Sequence, residues 1–432
     1  MPDNDTNRPL PSTRPTGRPD ARVRSAIVIG GGIAGPVTAA ALTRAGIEAA
    51  VYEAYPEPSG GIGGSLALAP NGVAALEIVG AADAVRERAL PITASSVSIA
   101  DRPLGATPSL PDLEPLRMIG RGPLHEALRT AARQAGVPLH HGRRLVGVEE
   151  APDGVTARFA DGSTATADVL IGADGARSTV RRLIDPQAPA ADYTGMLGFE
   201  GFVPHDALPA RLDVGTPGEM VFAFGRRAYY LYWPTPDGVG WGVNLPSETY
   251  LSYADARRTP AEEWLRIIRE RYAGDRPGAA LAAGTVPETL QVVGALHIMP
   301  PVPHWSRGRL VLVGDAVHAP SNSTGQGASL AIESSIELAR CLRDLPDAGS
   351  AFAAYERLRR NRVETIARRG AKLNHAKTPG PIARALMRLI LPAMLNRTST
   401  LDVLGREQRF RIDWDEPARP EDLSGSQRAI AR

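Results

Sequence analysis

The residues best suited to hold a ligand form a glycine-rich loop near the start of the chain. Gly30, Gly32 and Gly35 fit the pattern G-x-G-x-x-G. Ile33 and Ala34 stand between the second and third glycines. The loop follows the β-branched stretch VRSAIVIG and precedes an alanine-rich stretch that is typical of a helix. A strand, loop and helix in this order present backbone N–H groups to a pyrophosphate. The spacing therefore predicts an adenine-dinucleotide site.

An acidic residue supports this interpretation. Glu53 ends the next predicted strand, EAAVYEA, roughly 20 residues after the glycines. A carboxylate at this position accepts hydrogen bonds from the ribose hydroxyls and repels a 2′-phosphate. FAD or NAD therefore fits the site better than NADP.

Two further glycine-and-aspartate pairs follow apolar runs later in the chain. Asp174 lies in IGADGARSTVRR, and Asp315 lies in GDAVHAPSNSTGQGASLAIE. Asp315, at a strand end, is placed to accept hydrogen bonds from a polyol. The loop that ends in Gly325 and Gly327 opens a helix near Ala328, whose N-terminal amides favour the partial negative charge of a reduced flavin ring.

The elements that position these residues indicate an α/β fold with a parallel sheet, because ligands bind at the carboxyl ends of its strands. Between residues 190 and 300 the pattern changes to alternating aromatic runs, which predict an antiparallel sheet inserted as the roof of a substrate cavity. Four aromatic residues are predicted as substrate walls: Phe222, Tyr230, Tyr232 and Trp241. Only half of such side chains can face the cofactor, because neighbours along a strand alternate between faces.

The C-terminal part of the chain has the spacing of helices, and Cys341 is expected to be an inert thiol within one of them. The predicted organisation is a disordered tail (1–22), a first cofactor-domain segment (23–185), a substrate-binding sheet (186–300), a second cofactor-domain segment (301–371) and a helical region (372–432).

The glycine loop with Glu53, the stretch RGPLHEAL, IGADGARSTVR and GDAVHAPSNSTGQGASLAIE together resemble the class A FAD-dependent monooxygenases, the para-hydroxybenzoate hydroxylase-like enzymes. The resemblance covers roughly residues 24–370. It implies a Rossmann-like FAD domain with an inserted β-sheet substrate domain. It also implies non-covalent FAD, NAD(P)H as a transient electron donor, and a flavin C4a-hydroperoxide that oxygenates an aromatic or polyketide-like molecule.

The same resemblance assigns residues to parts of the cofactor. The glycine loop and Glu53 would hold the AMP half, and Arg121 would lie near the ribityl-pyrophosphate region. Asp174 would support both FAD and nicotinamide binding, Asp315 would meet the ribityl chain, and 325–328 would border the flavin ring. No catalytic side chain and no metal site is predicted.

Two departures from the family pattern bear on the chemistry. Many relatives have proline where this chain has Asn322, and the helix that usually reads Glu-Asp-Ala here reads Glu333-Ser334-Ser335. The proline-bearing loop adjoins the reactive face of the flavin in the family. Asn322 therefore puts ordinary oxygenation in question and is itself a candidate substrate contact.

Composition excludes several classes of protein. Hydrophobic residues make up 43% of the 432 residues and charged residues 22%, which excludes a wholly disordered chain. A net charge of +2 gives no electrostatic case for nucleic acid. No apolar run reaches the ~18 residues of a membrane helix. We expect a cytoplasmic monomer or homodimer with a small-molecule substrate.

The sequence thus predicts an FAD-dependent, NAD(P)H-consuming monooxygenase that hydroxylates or epoxidises its substrate. Two alternatives stay open at this point. One is a dehydrogenase or reductase of the same fold, in which no oxygen enters the product. The other is a cyclase or binding protein in which the flavin is redox-silent.

Overall fold

A computed structural model describes residues 22–56, 64–99, 101–227, 229–375, 403 and 405–419. In chain order the strands are β1 (Ser25–Ile29), β2 (Glu48–Tyr52), β3 (Ser65–Leu68), β4 (Leu90–Ile92), β5 (Ala94–Ile99), β6 (Arg102–Pro108), β7 (Leu116–Gly120), β8 (Leu139–His140), β9 (Leu145–Ala151), β10 (Gly154–Phe159), β11 (Thr164–Ala167), β12 (Val169–Gly172), β13 (Asp192–Pro204), β14 (Glu219–Phe224), β15 (Tyr229–Pro234), β16 (Gly238–Pro246), β17 (Gln291–Ile298), β18 (Ser306–Arg307) and β19 (Leu310–Leu312). The helices are α1 (Ala34–Arg44), α2 (Pro70–Glu77), α3 (Ala82–Arg88), α4 (Arg121–Gln134), α5 (Thr179–Ile184), α6 (Tyr253–Arg258), α7 (Ala261–Tyr272), α8 (Gly278–Gly284), α9 (Gly327–Asp344) and α10 (Ala348–His375).

A sheet in the order β18-β19-β12-β1-β2-β8 forms the centre of the cofactor domain. Its strands are parallel except for the edge strand β18. The three apolar runs that end in glycine or an acid become β1, β12 and β19, which lie side by side. Because parallel neighbours end at the same edge, all three predicted ligand-binding turns meet there. The predicted α/β fold class is confirmed.

The aromatic region folds into the predicted antiparallel strands, and Pro236-Asp237-Gly238 joins β15 to β16. These strands belong to a seven-stranded sheet in the order β17-β13-β16-β15-β14-β5-β6, here called the large sheet. Strands β5 and β6 come from residues 94–108, so the large sheet extends beyond the predicted range 186–300. β5 pairs with β14 in parallel, which departs from the otherwise antiparallel pattern.

The large sheet has two different faces. Its helix side packs against α7 and α8 in a core that contains Trp264, Leu265 and Leu281. Its opposite side packs on the three-stranded sheet β3-β7-β4, here called the small sheet, through Ile92 and Met118. A further antiparallel sheet, β9-β10-β11, lies on the cofactor domain. The small-sheet side is therefore the side that faces the cofactor domain.

Two long helices follow β19, as the spacing predicts. α9 packs on α1, and α10 packs on α9. Cys341 is fully buried, and burial raises the pKa of its thiol, which confirms an inert core cysteine. The predicted tail up to residue 21 and most of the predicted C-terminal helical region lie outside the described residues. None of the described helices is long and apolar enough to cross a membrane.

Candidate functional site

The glycine loop has no room for side chains at two of its three motif positions. Gly30 has a φ of +109°, and a Cβ there would lie 2.4 Å from the carbonyl oxygen of Ala173. A Cβ on Gly35 would lie 1.8 Å from the carbonyl oxygen of Gly30. Glycine is therefore required both for the turn and for the close contact of α1 with its own loop. A Cβ on Gly32 would meet nothing within 4 Å, so this side of the loop is open to a ligand.

The N-terminus of α1 is free to receive an anion. Its first turn has neither a side-chain cap nor an acidic residue, whereas α5 and α6 are capped by Ser178 and Ser252. The uncapped N–H groups and the helix dipole favour a phosphate at the open side of the loop.

Glu53 is oriented toward the glycine loop by backbone contacts. Its Oε2 accepts a hydrogen bond from the Gly31 N–H at 2.6 Å, and its Oε1 accepts one from the Tyr55 N–H at 2.9 Å. A carboxylate has about four acceptor sites, so two remain for ribose hydroxyls.

The second motif supports the site through packing. Asp174 accepts hydrogen bonds from Ser178 Oγ and from the N–H groups of Thr179 and Val180, so its carboxylate caps the N-terminus of α5. The turn that contains Asp174 lies against Gly30. Both carboxylate oxygens of Asp174 thus accept hydrogen bonds from protein donors, and Asp174 positions the turn that lies against Gly30.

A buried arginine ties the second motif to the third. Arg181 is 3% exposed and donates hydrogen bonds to the carbonyl oxygens of Ala176 and Ala316. Gly314, with a φ of +60°, fits against Ala34 of α1 and Ala331 of α9. The three motifs therefore form one continuous surface at the carboxyl edge of the parallel sheet.

Asp315 lines a recess in this surface. Its side chain is accessible to solvent, yet desolvation by the surrounding protein raises its pKa, and the charge of Arg121 partly opposes that rise. Arg121 begins α4, and its N–H donates to the carbonyl oxygen of Gly64. An acid and a base facing one recess match a ligand that carries both hydroxyl and phosphate groups.

The loop before α9 is held by the protein on one side and open on the other. Gly325 has a φ of +61°, and a Cβ there would meet nothing within 4 Å. Gln326 accepts a hydrogen bond from Asn71, which also donates to the buried Glu333. Beyond Gly327 the first turn of α9 has no side-chain cap and no acidic residue. Its N–H groups, which include that of Ala328, are suited to a partial negative charge.

Asn322 opens a short 3₁₀ turn, Asn322–Thr324, in this loop. Its side chain is exposed, and its carbonyl oxygen accepts a hydrogen bond from the Gly325 N–H. Gly370 of α10 packs against Thr324 at the back of the turn. The position of the usual proline thus lies on the exposed rim of the loop.

The second departure from the family pattern is a buried contact. Ser334 bonds to Nε2 of His318 at 2.9 Å and accepts a hydrogen bond from Arg359. His318 is 4% exposed, and burial together with the charge of Arg359 lowers its pKa to about 3. His318 therefore packs as a neutral core residue and is not available as a proton carrier at neutral pH.

We predict a pH dependence of stability from His318. An unfolded histidine titrates near about 6.5, so below this pH the unfolded state binds a proton that the folded state excludes. As the pH is lowered below this value, this group should therefore reduce the free energy of unfolding by up to about 1.4 kcal/mol per pH unit. Urea unfolding of the His318→Gln variant between pH 7 and pH 5 should lack this slope, whereas His304→Gln, at an exposed histidine, should keep it. Parallel profiles for wild type and His318→Gln would contradict the prediction.

The large sheet separates the four aromatic residues predicted as substrate walls. Tyr230, Tyr232 and Trp241 lie in the helix-side core, where Tyr230 donates to the carbonyl oxygen of Arg276 and Trp241 donates to Thr285. Phe222 packs on the small-sheet side. The first three are therefore not walls of a cofactor-side cavity, because α7 and α8 cover the face on which they lie. This corrects the expectation for these three residues.

A cavity of about 130 Å³ lies on the small-sheet side of the large sheet. Its lining residues are Ser65, Glu200, Gly201, Phe202, Trp233, Gly240, Thr289 and Gln291. None of them was singled out from the sequence. Ser65, which lines the cavity, pairs with Gly120 at the start of α4, so the cavity lies next to Arg121. The charge of Arg121 acts on both Glu200 and Asp315. We call this cavity the ring cavity.

The residues of the three motifs fit the parts of FAD. The open glycine loop and the uncapped α1 suit a pyrophosphate, Glu53 suits a ribose, and Asp315 suits a polyol chain. The uncapped N-terminus of α9 suits the electron-rich edge of the flavin ring. Among the described residues, no group of three or more histidine, cysteine, aspartate or glutamate side chains is placed to hold a metal ion.

Comparison with known proteins gives the same result over most of the chain. The family model of the FAD binding domain matches residues 24–370. The 3-amino-4-hydroxybenzoate 2-monooxygenase PtmB3 of Streptomyces platensis is 34% identical over 371 residues, which cover 81% of this chain and 87% of that protein. The 6-hydroxynicotinate 3-monooxygenase of Bordetella bronchiseptica is 31% identical over 357 residues, 79% of this chain and 89% of that protein.

Solved structures share the fold. The crystal structure of Klebsiella pneumoniae HpxO complexed with FAD and uric acid superposes with a TM-score of 0.75. It is 25% identical in sequence, and the match covers 88% of this chain and 95% of that one.

Proposed function

The chain belongs to the class A FAD-dependent monooxygenases, and on that premise we propose that it hydroxylates a small aromatic compound with a single ring. The observation that carries the proposal is the ring cavity. Its volume of about 130 Å³ is close to that of an engineered protein cavity that binds benzene, about 150 Å³. The relatives PtmB3 and 6-hydroxynicotinate 3-monooxygenase are named for one-ring substrates, which supports the same size class.

The residues proposed to hold FAD are those assigned from the sequence: Gly30, Gly32, Ile33, Ala34, Gly35, Glu53, Arg121, Asp174, Asp315, Gly325, Gly327 and Ala328. Asp174 acts in this set by shaping the turn against Gly30. The proposed boundaries of the two FAD segments and the substrate region remain 23–185, 301–371 and 186–300, with β5 and β6 added to the sheet of the last.

The chain's own groups prepare the site for oxygen transfer. When bound, FAD reduced by NAD(P)H would activate O₂, so that one oxygen atom enters the substrate and the other leaves as water. The N–H groups at the start of α9 stabilise negative charge at the ring edge. Trp233 and Phe202 supply the aromatic part of the wall of the ring cavity, against which a substrate ring would pack. Asn322, on the rim of the loop, is proposed to contact the substrate or the flavin edge.

The two non-oxygenating alternatives lose support from the comparisons. The relatives named above are monooxygenases, and a redox-silent flavin has no counterpart among them. The volume of the ring cavity, about 130 Å³, favours a one-ring compound over a polyketide-sized one. We further propose a cytoplasmic protein that acts as a monomer or homodimer. The single cysteine, Cys341, rules out a disulfide within the chain and supports a reducing compartment.

Labelled oxygen tests the proposed function. We expect a one-ring phenol such as 3-amino-4-hydroxybenzoate or 4-hydroxybenzoate to accelerate NAD(P)H oxidation by the FAD-loaded enzyme. The product should carry one ¹⁸O atom from ¹⁸O₂ by mass spectrometry, and tetracycline should give neither effect. Product without label would indicate a dehydrogenase. Product formed without NAD(P)H consumption would indicate the redox-silent alternative.

A further inference from the structure

Glu200 is a carboxylate held rigidly at the wall of the ring cavity. It lies near the middle of β13, on the small-sheet side of the large sheet. One oxygen accepts a hydrogen bond from the Ser65 N–H at 2.5 Å, and the other accepts one from Ser65 Oγ at 2.6 Å. Gly64 also lies against the carboxylate, where a Cβ would clash with it. These contacts fix the group and, among the residues described, occupy about two of its four acceptor sites.

In the described part of the chain, Glu200 forms no ion pair. Within the described residues no arginine, lysine or histidine nitrogen lies within 4 Å of Glu200. Burial raises its pKa, and the hydrogen bonds from Ser65 and the more distant charge of Arg121 only partly oppose the rise. A buried carboxylate without a counterion carries a cost that a hydrogen-bond donor from a ligand would offset.

Trp233 presents a donor on the other side of β16. Its indole lies flat across Gly240, where a Cβ would lie 2.4 Å from Nε1 and Cε2. The side chain is 7% exposed and lines the ring cavity. Among the residues that the structure describes, no acceptor bonds to Nε1 of Trp233, whereas Nε1 of Trp241 donates to Thr285 and Nε1 of Trp264 to Ala256.

The pairing of strands places Glu200 and Trp233 on opposite sides of one stretch of β16. Glu200 lies opposite Gly242, and Trp233 lies opposite Gly240, so both flank the same stretch of β16. Two strand spacings separate β13 from β15, or about 10 Å between backbones. The indole of Trp233 covers Gly240, whereas a Cβ on Gly242 would meet no protein atom closer than 3.6 Å, so this stretch of β16 is open at Gly242. A flat ring over Gly242 would lie between the Glu200 carboxylate and the edge of the Trp233 indole.

We infer that Glu200 and Trp233 recognise opposite substituents of the substrate ring. Glu200 accepts a hydrogen bond from a ring hydroxyl or amino group, and Nε1 of Trp233 donates to an acceptor such as a carboxylate or carbonyl group. This inference rests on the proposed function and narrows it to hydroxylated or aminated one-ring aromatic acids and their close analogues. Both residues are specificity determinants.

Binding of matched probes to the FAD-loaded enzyme tests Glu200. The probes are 4-hydroxybenzoate and its O-methyl ether, 4-methoxybenzoate, which differ by one donor hydrogen. We expect wild type to bind the phenol about 10- to 150-fold more tightly, the range for a hydrogen bond to a charged group. In Glu200→Gln the Ser65 N–H retains the amide oxygen, and the amide NH₂ replaces the oxygen that accepts from Ser65 Oγ. One N–H of this NH₂ can donate to Ser65 Oγ and the other presents a donor in place of an acceptor, so the preference for the phenol should disappear.

The control for charge removal is Glu219→Gln. Glu219 belongs to the same sheet and also accepts a hydrogen bond from a serine, Ser96, at 2.6 Å, but it does not line the ring cavity. Its variant should keep the wild-type ratio of the two dissociation constants. For Trp233→Phe we expect weaker binding of 4-hydroxybenzoate but an unchanged preference over its ether, since only the acceptor end is affected. Trp241→Phe, on the helix side, should leave both constants unchanged.

The outcomes separate this inference from the proposed function. An unchanged probe ratio in Glu200→Gln, or failure of wild type to bind either probe, overturns the recognition by Glu200. If ¹⁸O enters a product while the ratio is unchanged, the proposed function stands and the recognition pair fails. If the ratio collapses as expected but no label enters any product, the recognition pair stands and the monooxygenase assignment fails.

Discussion

Replacing Glu333 with glutamine is expected to lower the free energy of unfolding by about 3–5 kcal/mol, the cost of leaving a buried charge without its partner. The side chains of Glu333 and Arg359 are both fully buried, and their ion pair measures 2.6 Å. Arg362 and Asn71 bond to the same carboxylate. Glutamine keeps the shape but cannot serve two guanidinium groups, so Arg359 would remain charged in the core. Urea unfolding at a fixed FAD concentration measures the change.

Glu364→Gln provides the matched control on α10. Glu364 pairs with Arg360 at 2.9 Å, but both side chains are 27% exposed. Solvent screens such pairs, and we expect a loss of at most about 1 kcal/mol. Equal shifts of the two unfolding midpoints would contradict a special role of the buried pair.

The effect of Glu333 also has a defined pH range. Burial alone would raise its pKa, but the charges of Arg359 and Arg362 outweigh burial and hold the pKa below its usual value. A group with a depressed pKa contributes stability above its unfolded pKa, about 4.3, and loses it as the pH falls through the folded value. The difference between wild type and Glu333→Gln should therefore be constant near neutral pH and narrow below pH of about 4.

This buried pair connects stability to the site. Glu333 accepts from Asn71, which in turn donates to Gln326 in the loop before α9. The departure at Ser334 belongs to the same cluster, because Ser334 contacts both His318 and Arg359. The positions where the chain differs from the usual helix pattern therefore support the loop from behind and do not enter the recess.

The cofactor half of the site could be predicted because its signals are local. Gly30 and Gly35 are required by contacts within one strand–loop–helix unit, and Glu53 ends the adjacent strand. The strand, turn and helix patterns lie within about 30 residues, so the arrangement of the glycine loop follows from local sequence. Asp315 could be placed for the same reason, since a buried strand delivers it directly to the sheet edge.

The substrate half could not be predicted because it depends on packing between distant segments. In β16 both faces are buried, and alternation gives two sets of residues without telling which set α7 and α8 cover. For this reason the sequence predicts Trp241 and Tyr230 as substrate walls, whereas both lie on the helix side of the large sheet. The glycines of GVGWGVN indicate which face of β16 could receive a ligand. Gly240 and Gly242 lie on the same face and contribute no side chains to a hydrophobic core there. Glu200 had no local signal, because its partner Ser65 lies 135 positions away.

Replacing Asp315 with alanine is expected to weaken FAD binding by about 10- to 150-fold, the effect of losing one charge-assisted hydrogen bond. Asp315 is the middle residue of the short 3₁₀ turn Gly314–Ala316 after β19, where its carboxylate faces the recess together with Arg121. Titration of the FAD-depleted enzyme with FAD, followed by quenching of flavin fluorescence, gives the dissociation constant. Asp206→Ala, at an exposed aspartate outside the recess, should bind FAD as wild type does.

The pH dependence of binding separates a cofactor contact from a turn residue. Desolvation by the surrounding protein raises the pKa of Asp315, so its proton returns at a higher pH than for an ordinary aspartate. Protonation removes the charge that the ribityl hydroxyls would contact, and the dissociation constant of wild type should therefore rise as the pH falls toward this raised pKa. Asp315→Ala has no such group, and its weaker binding should not change over the same range. If both proteins bind FAD equally well and with the same pH profile, Asp315 only shapes the turn, and the polyol contact must come from elsewhere in the recess.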